Sequence, residues 1–135
     1  MPTVFDKLNL KDQREILVLN APQEFEKALS GLRGVKVLSR IEDVKSCEFA
    51  LTFATQRAEL DRLARALCAI AAGDAMLWFA YPKGTSKKYV CEFNRDDGWQ
   101  VLRQCGFDSV RQIAIDDDWS ALRFRRVEYI KRMNR

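Results

Sequence analysis

The chain has 135 residues, of which 47% are hydrophobic and 31% charged, with a formal net charge of +4 and no histidine. That length suits one domain able to bury roughly two thirds of its unfolded surface without disulfide or metal staples. Having no histidine excludes the commonest general base, the Ser-His and Cys-His nucleophile pairs and the commonest metal ligand, so any catalysis rests on Asp, Glu, Lys, Tyr or Cys.

No window approaches the eighteen or so apolar residues of a membrane span, and the early residues Asp6, Lys7, Lys11 and Asp12 leave no room for a signal-peptide core. A soluble cytoplasmic protein without a membrane partner is the expectation. Cys47, Cys68, Cys91 and Cys105 are widely spaced with no CxxC pair, which predicts free thiols rather than a zinc site or a disulfide framework. The basic charge is uneven: residues 123–135 hold six Lys or Arg and one Glu, so everything before them sums to −1.

Val4, Phe5, Leu8 and Leu10 suit a short lead-in over one end of the core. Glu15 to Leu19 then reads as a buried strand. Asn20-Ala21-Pro22 turns into a helix whose stripe is Phe25, Ala28, Leu29 and Leu32, with proline at the first helical position and Gly31 and Gly34 at the stop. Val35 to Leu38 and Phe49 to Ala54 predict two further strands, joined by the polar stretch Ser39 to Ser46. From Thr55 to about Ala72, Leu60, Leu63, Ala64, Leu67 and Ala71 recur at helical spacing, while Arg57, Glu59, Asp61, Arg62 and Arg65 form a solvated outer face. Asp61 and Arg65 stand four apart in the favourable order.

Gly73-Asp74 closes that helix and feeds Met76 to Tyr81, a continuous apolar run that predicts a central strand buried on both faces and ended by Pro82. Lys87 to Arg95 shows no clear period and reads as an ordered loop. Asp96 or Asp97 is placed to cap a helix carrying Trp99, Leu102 and Cys105 and stopped by Gly106. Val110 to Ile115 and Ser120 to Val127 alternate about the turn Asp116-Asp117-Asp118, which predicts a hairpin. A single Rossmann-like α/β domain over residues 1–135 follows, with a mostly parallel six-stranded sheet, an antiparallel C-terminal hairpin strand, flanking helices and a basic tail at about 128–135.

This element order, with the helix stopped by Gly106-Phe107 and the terminal hairpin, resembles the class I methyltransferase type of Rossmann-like fold, with one strand-helix unit fewer. The resemblance implies a cofactor-binding loop rich in glycine after the first strand, where this chain has Asn20-Ala21-Pro22-Gln23-Glu24. A second resemblance, to a family of small uncharacterised bacterial α/β proteins, rests on KLNLK near the N-terminus, LNAP (Leu19 to Pro22), WFAYPKGTS (Trp78 to Ser86) and WSALRFR (Trp119 to Arg125). It implies the fold and supplies no catalytic residue.

Parallel strands of this kind open onto one rim, which gathers Asn20, Thr55, Lys83, Thr85, Ser86, Asp116, Asp117, Asp118, Trp119 and Ser120. Lys83 and two hydroxyls suit a phosphate or carboxylate. Pairing of Lys83 with the three aspartates, with the hydroxyls capping the turn, explains the same residues without a ligand. KGTS lacks the GxxxxGK[ST] order of a phosphate loop. Adjacent carboxylates can divide acid and base roles, yet turn chemistry accounts for an Asp-rich hairpin. Trp78 and Trp99 read as core and Trp119 as partly exposed. Arg123, Arg125, Arg126, Lys131, Arg132 and Arg135, with Phe124 and Tyr129, can track a nucleic-acid backbone, although alternating Arg also discourages edge pairing. The sequence therefore favours a protein that binds a small anionic ligand or a protein partner, without catalysis, cofactor or metal. A degenerate methyltransferase-like enzyme and a nucleic-acid accessory protein are the alternatives.

Overall fold

The computed structural model describes residues 3–133, and the side chains of residues 3–130. Arg135 of the basic tail lies outside the described residues. The chain runs α1 (Val4–Lys7), β1 (Glu15–Leu19), a 3-10 turn (Gln23–Phe25), α2 (Glu26–Ser30) and β2 (Lys36–Leu38), then β3 (Cys47–Phe53), α3 (Arg57–Ile70) and β4 (Ala71–Pro82), and ends with α4 (Gln100–Gln104), β5 (Phe107–Ala114), β6 (Trp119–Arg126) and α5 (Val127–Met133). The six strands form one sheet in the order β2-β1-β3-β4-β6-β5. The β1, β2, β3 and β4 pairs are parallel, and β6 enters antiparallel to both β4 and β5.

Side-chain alternation along β4 divides the core between the two faces of the sheet. Leu77 and Phe79 join Leu17, Ala50, Leu63, Leu67, Trp99 and Phe124 beneath α3 and α4. Trp78 and Ala80 join Ile16, Val18, Phe49, Leu51 and Phe53 beneath α1 and α2. Both layers are dry, since Leu77, Trp78, Phe79 and Ala80 are all fully buried. The Trp78 indole keeps its one donor satisfied, giving it to the Leu8 carbonyl at 2.9 Å. That bond pins the N-terminal lead-in over the sheet.

Three local expectations are corrected. β4 starts at Ala71, directly after α3, and Gly73 (φ 53°) lies inside the strand rather than closing the helix. The β3–β4 register slips between Cys47 and Phe49, so the chain from Ala72 to Ala75 bulges, and glycine supplies the left-handed residue this needs. Pro22 sits outside the helix at φ −69°, ψ 160°, and leads into a 3-10 turn. Neither Asp96 nor Asp97 caps α4: its N-cap is Trp99, without a side-chain bond, and Asp97 instead takes Arg57 Nη2 at 2.6 Å. The basic tail begins as a helix, with Tyr129 under the Arg125 guanidinium at 5.9 Å from the ring centroid.

The outer face of α3 is also more engaged than a solvated stripe. Arg57 bonds the Glu92 carboxylate through its backbone N–H at 2.9 Å and holds Asp97 through its side chain, tying the 87–97 loop to the helix start. Asp61 and Arg65 form no ion pair.

Candidate ligand clefts at the carboxyl edge

Strand order reverses direction between β1 and β3, because β2 lies on one side of β1 while β3 and β4 lie on the other. Open α/β sheets bind ligands at such a switch point, outside the carboxyl ends of the strands. A cleft of about 270 Å³ opens there, between Asn20 and Pro22 after β1 and Ala54 and Thr55 after β3, with Phe53, Glu59, Tyr89 and Trp119 completing its walls. Asn20 makes the turn in the left-handed conformation, φ 59°, which glycine usually supplies. Its side-chain amide donates to the Phe53 carbonyl and to Glu59 Oε2, each at 3.3 Å, and so joins the ends of β1 and β3 to the first turn of α3.

Tyr89 divides this cleft from a second one. Its ring lies 4.8 Å from that of Trp119, and Trp119 packs edge-on to Phe53 at 5.0 Å. The Tyr89 hydroxyl donates to the Glu24 carboxylate, 2.9 Å from each oxygen. Burial, followed by the bond and the charge of Glu24, raises the Tyr89 phenol above its ordinary pKa. The second cleft, about 370 Å³, is lined by Tyr81, Lys83, Gly84, Val90, Cys91 and Phe93, with Tyr89 again as a wall. Burial likewise raises the Tyr81 phenol, which accepts a bond from Gln112 Nε2 at 3.1 Å, and the Cys91 thiol.

Lys83 is half-buried at the lip of this second cleft and has no ion pair or side-chain hydrogen bond among the described residues, so the expected pairing with the aspartates does not form. Its backbone N–H holds the Asp118 carbonyl at 2.8 Å. Ser86 is the residue that organises the turn. Its hydroxyl donates to Asp118 Oδ1 at 2.9 Å and accepts from the backbone of Lys88 and Tyr89 at 3.3 and 3.2 Å. Asp116 Oδ1 accepts the Asp118 and Trp119 N–H groups, both at 2.8 Å, an Asx turn that closes the hairpin.

Other predicted site residues are not brought together. Thr85 is exposed and lines neither cleft, and Ser120 is buried within the sheet between Tyr81 and Ala114. Asp116 borders a separate cavity of about 420 Å³ beside Phe5, Phe25, Ala28 and Leu32. Trp119 is 3% exposed rather than partly exposed, and its indole Nε1 is buried without a hydrogen-bond partner. Glu59, Glu24 and Tyr89 were not legible as site residues. Glu59 fits the polar stripe of α3, and Tyr89 joins Trp119 across thirty positions of chain through a loop with no periodic signal.

No family model and no curated protein matches this chain. Solved structures do, and they define its fold as that of the class I methyltransferases. A SAM-dependent methyltransferase from Aquifex aeolicus aligns over 90% of this chain and 87% of its own at a TM-score of 0.60 and 15% identity. The fibrillarin pre-rRNA processing protein of Methanococcus jannaschii aligns over 85% and 67% at 0.56 and 11%. The mitomycin 7-O-methyltransferase MmcR aligns over 89% of this chain and 52% of its own at 0.63 and 9%.

Proposed function

We propose that this chain is a small-molecule binding protein built on a methyltransferase-like fold, taking the anionic end of its ligand on Lys83 and the apolar body against Tyr81, Tyr89 and Phe93. The observation that carries this reading is Lys83 itself: an ammonium with no carboxylate partner among the described residues, at the lip of an aromatic cleft. Held beside a low-dielectric wall, such a cation strengthens a charge-assisted bond to a phosphate or carboxylate. The three segments that carry the second resemblance supply Lys83 to this cleft, from WFAYPKGTS, and Asn20 and Trp119 to the adjoining cleft across Tyr89, from LNAP and WSALRFR. That they line adjoining clefts supports membership in that family. Thermal denaturation of the wild type and of Lys83→Ala, each against a panel of phosphates and aromatic carboxylates, tests it. Stabilisation lost in the variant is expected, and equal stabilisation of both proteins overturns the reading.

A transferase is the second reading, favoured by the cleft at the switch point. Glu59 and the Asn20 amide can hold hydroxyl groups there. Pro22 opposes it, since it removes a backbone donor and stiffens the loop next to the cleft.

A further inference from the structure

Away from the rim, β5 and β6 oppose two arginines. Arg111 and Arg123 are direct partners in the antiparallel register, so their side chains leave the sheet on the same face, a few ångströms apart at the Cβ atoms. Ile113 and Ala121, the next pair along that face, belong to the core layer beneath α1. On that face Arg123 is half-buried and Arg111 exposed. The register slip between Ser109 and Arg111 is a bulge, a device that re-aims the side chains beside it.

Like charges in direct opposition destabilise a strand pair, and Asp74, the acid that offsets this one, acts on Arg123 only through space. Asp74 is spent on Arg125, which grips it with two parallel bonds, Nε to Oδ1 at 2.7 Å and Nη2 to Oδ2 at 2.6 Å. Asp108 faces Arg103 at 3.7 Å. Among the described residues Arg123 has no ion pair, and its Nε is buried without a hydrogen-bond partner, a state that costs free energy until an acceptor arrives. Burial, then the charge of Arg125 and, less strongly, that of Arg111, oppose the protonated form of Arg123, and the charge of Asp74 offsets part of this.

We infer that Arg111 and Arg123 form a clamp for a phosphate group on the β5–β6 edge, distinct from the Lys83 rim. A tetrahedral oxyanion bridging the two forks gives the buried Nε an acceptor and turns a repulsive pair into two charge-assisted contacts. The phosphate can belong to a free phosphomonoester or to a nucleic-acid strand, and the chemistry of the clamp is the same.

The test is titration of the labelled full chain with inorganic phosphate, reading the Arg Nε–Hε resonances, followed by the same titration with a short single-stranded oligonucleotide. Saturable movement of the Arg123 resonance is expected, weakened about tenfold or more in Arg111→Gln. Arg111 is exposed, so that variant keeps its fold, and its melting temperature without phosphate is expected to equal or exceed that of the wild type. Lys83→Ala should leave the titration unchanged, which separates this site from the rim. Much tighter, salt-dependent binding of the oligonucleotide through the same resonances assigns the phosphate to nucleic acid, and equal affinity per phosphate assigns it to a small ligand. An unmoved Arg123 resonance, or the same affinity in Arg111→Gln, overturns the clamp.

Discussion

Tyr89 leans on Trp119 with ring centroids 4.8 Å apart, so one loop tyrosine and one strand tryptophan form the partition between two ligand-sized clefts. Trp119→Ala should lower stability by about 3–5 kcal/mol, the usual range for emptying a buried aromatic site. Tyr89→Phe keeps the ring contact and forfeits only the bond to Glu24, for a loss of about 1 kcal/mol. Chemical denaturation of the two variants checks both values.

Lys83→Ala should change intrinsic stability by less than about 0.5 kcal/mol, because the ammonium has no partner to abandon among the described residues. A loss near 3 kcal/mol, as for breaking a buried ion pair, would place Lys83 in a structural role. Melting curves with and without added phosphate distinguish the two.

S-adenosylmethionine should show no saturable binding at micromolar concentration by calorimetry. The loop after β1 makes its left-handed turn with Asn20 and then loses a donor at Pro22. Saturable heats would promote the transferase reading.

The thiols should titrate as four once the chain is denatured, since all four are free. In the native protein the exposed Cys105 should react first, because burial pushes Cys47 up to about 11 and Cys68 to about 12, leaving little thiolate on either near neutral pH. The Cys47 shift also has a stability consequence. A folded pKa raised above the ordinary 9.0 stabilises fully below about pH 9, and that contribution fades as pH rises toward 11. Melting temperature should therefore fall over that window, and fall less in Cys47→Ala.

Arg57 holds the Asp97 carboxylate below its ordinary 3.8, through their hydrogen bond first and its charge second. A depressed folded pKa gives stability above the unfolded value that is lost as pH falls through the folded one. In Arg57→Ala the Asp97 titration should return toward 3.8 by carboxyl NMR, and the 87–97 loop should become easier to cleave by protease.

Strands, helices and the two-sided burial of β4 were legible in the sequence because apolar periodicity is a local signal, carried by runs such as Ile16 to Leu19 and Met76 to Tyr81. The turn at Asp116 to Asp118 was legible for the same reason, since an Asp side chain bonds its own neighbours. Tertiary structure decided the rest. Trp119 reads as a rim residue from its place beside three aspartates, yet Phe53 and Tyr89 bury it, and neither is near it in sequence. Asp97 reads as a helix cap and is taken by Arg57 forty positions away, in a charged bond at 2.6 Å that only the tertiary fold makes available. The opposition of Arg111 and Arg123 depends on strand register, and a one-residue slip would have sent one of them to the other face.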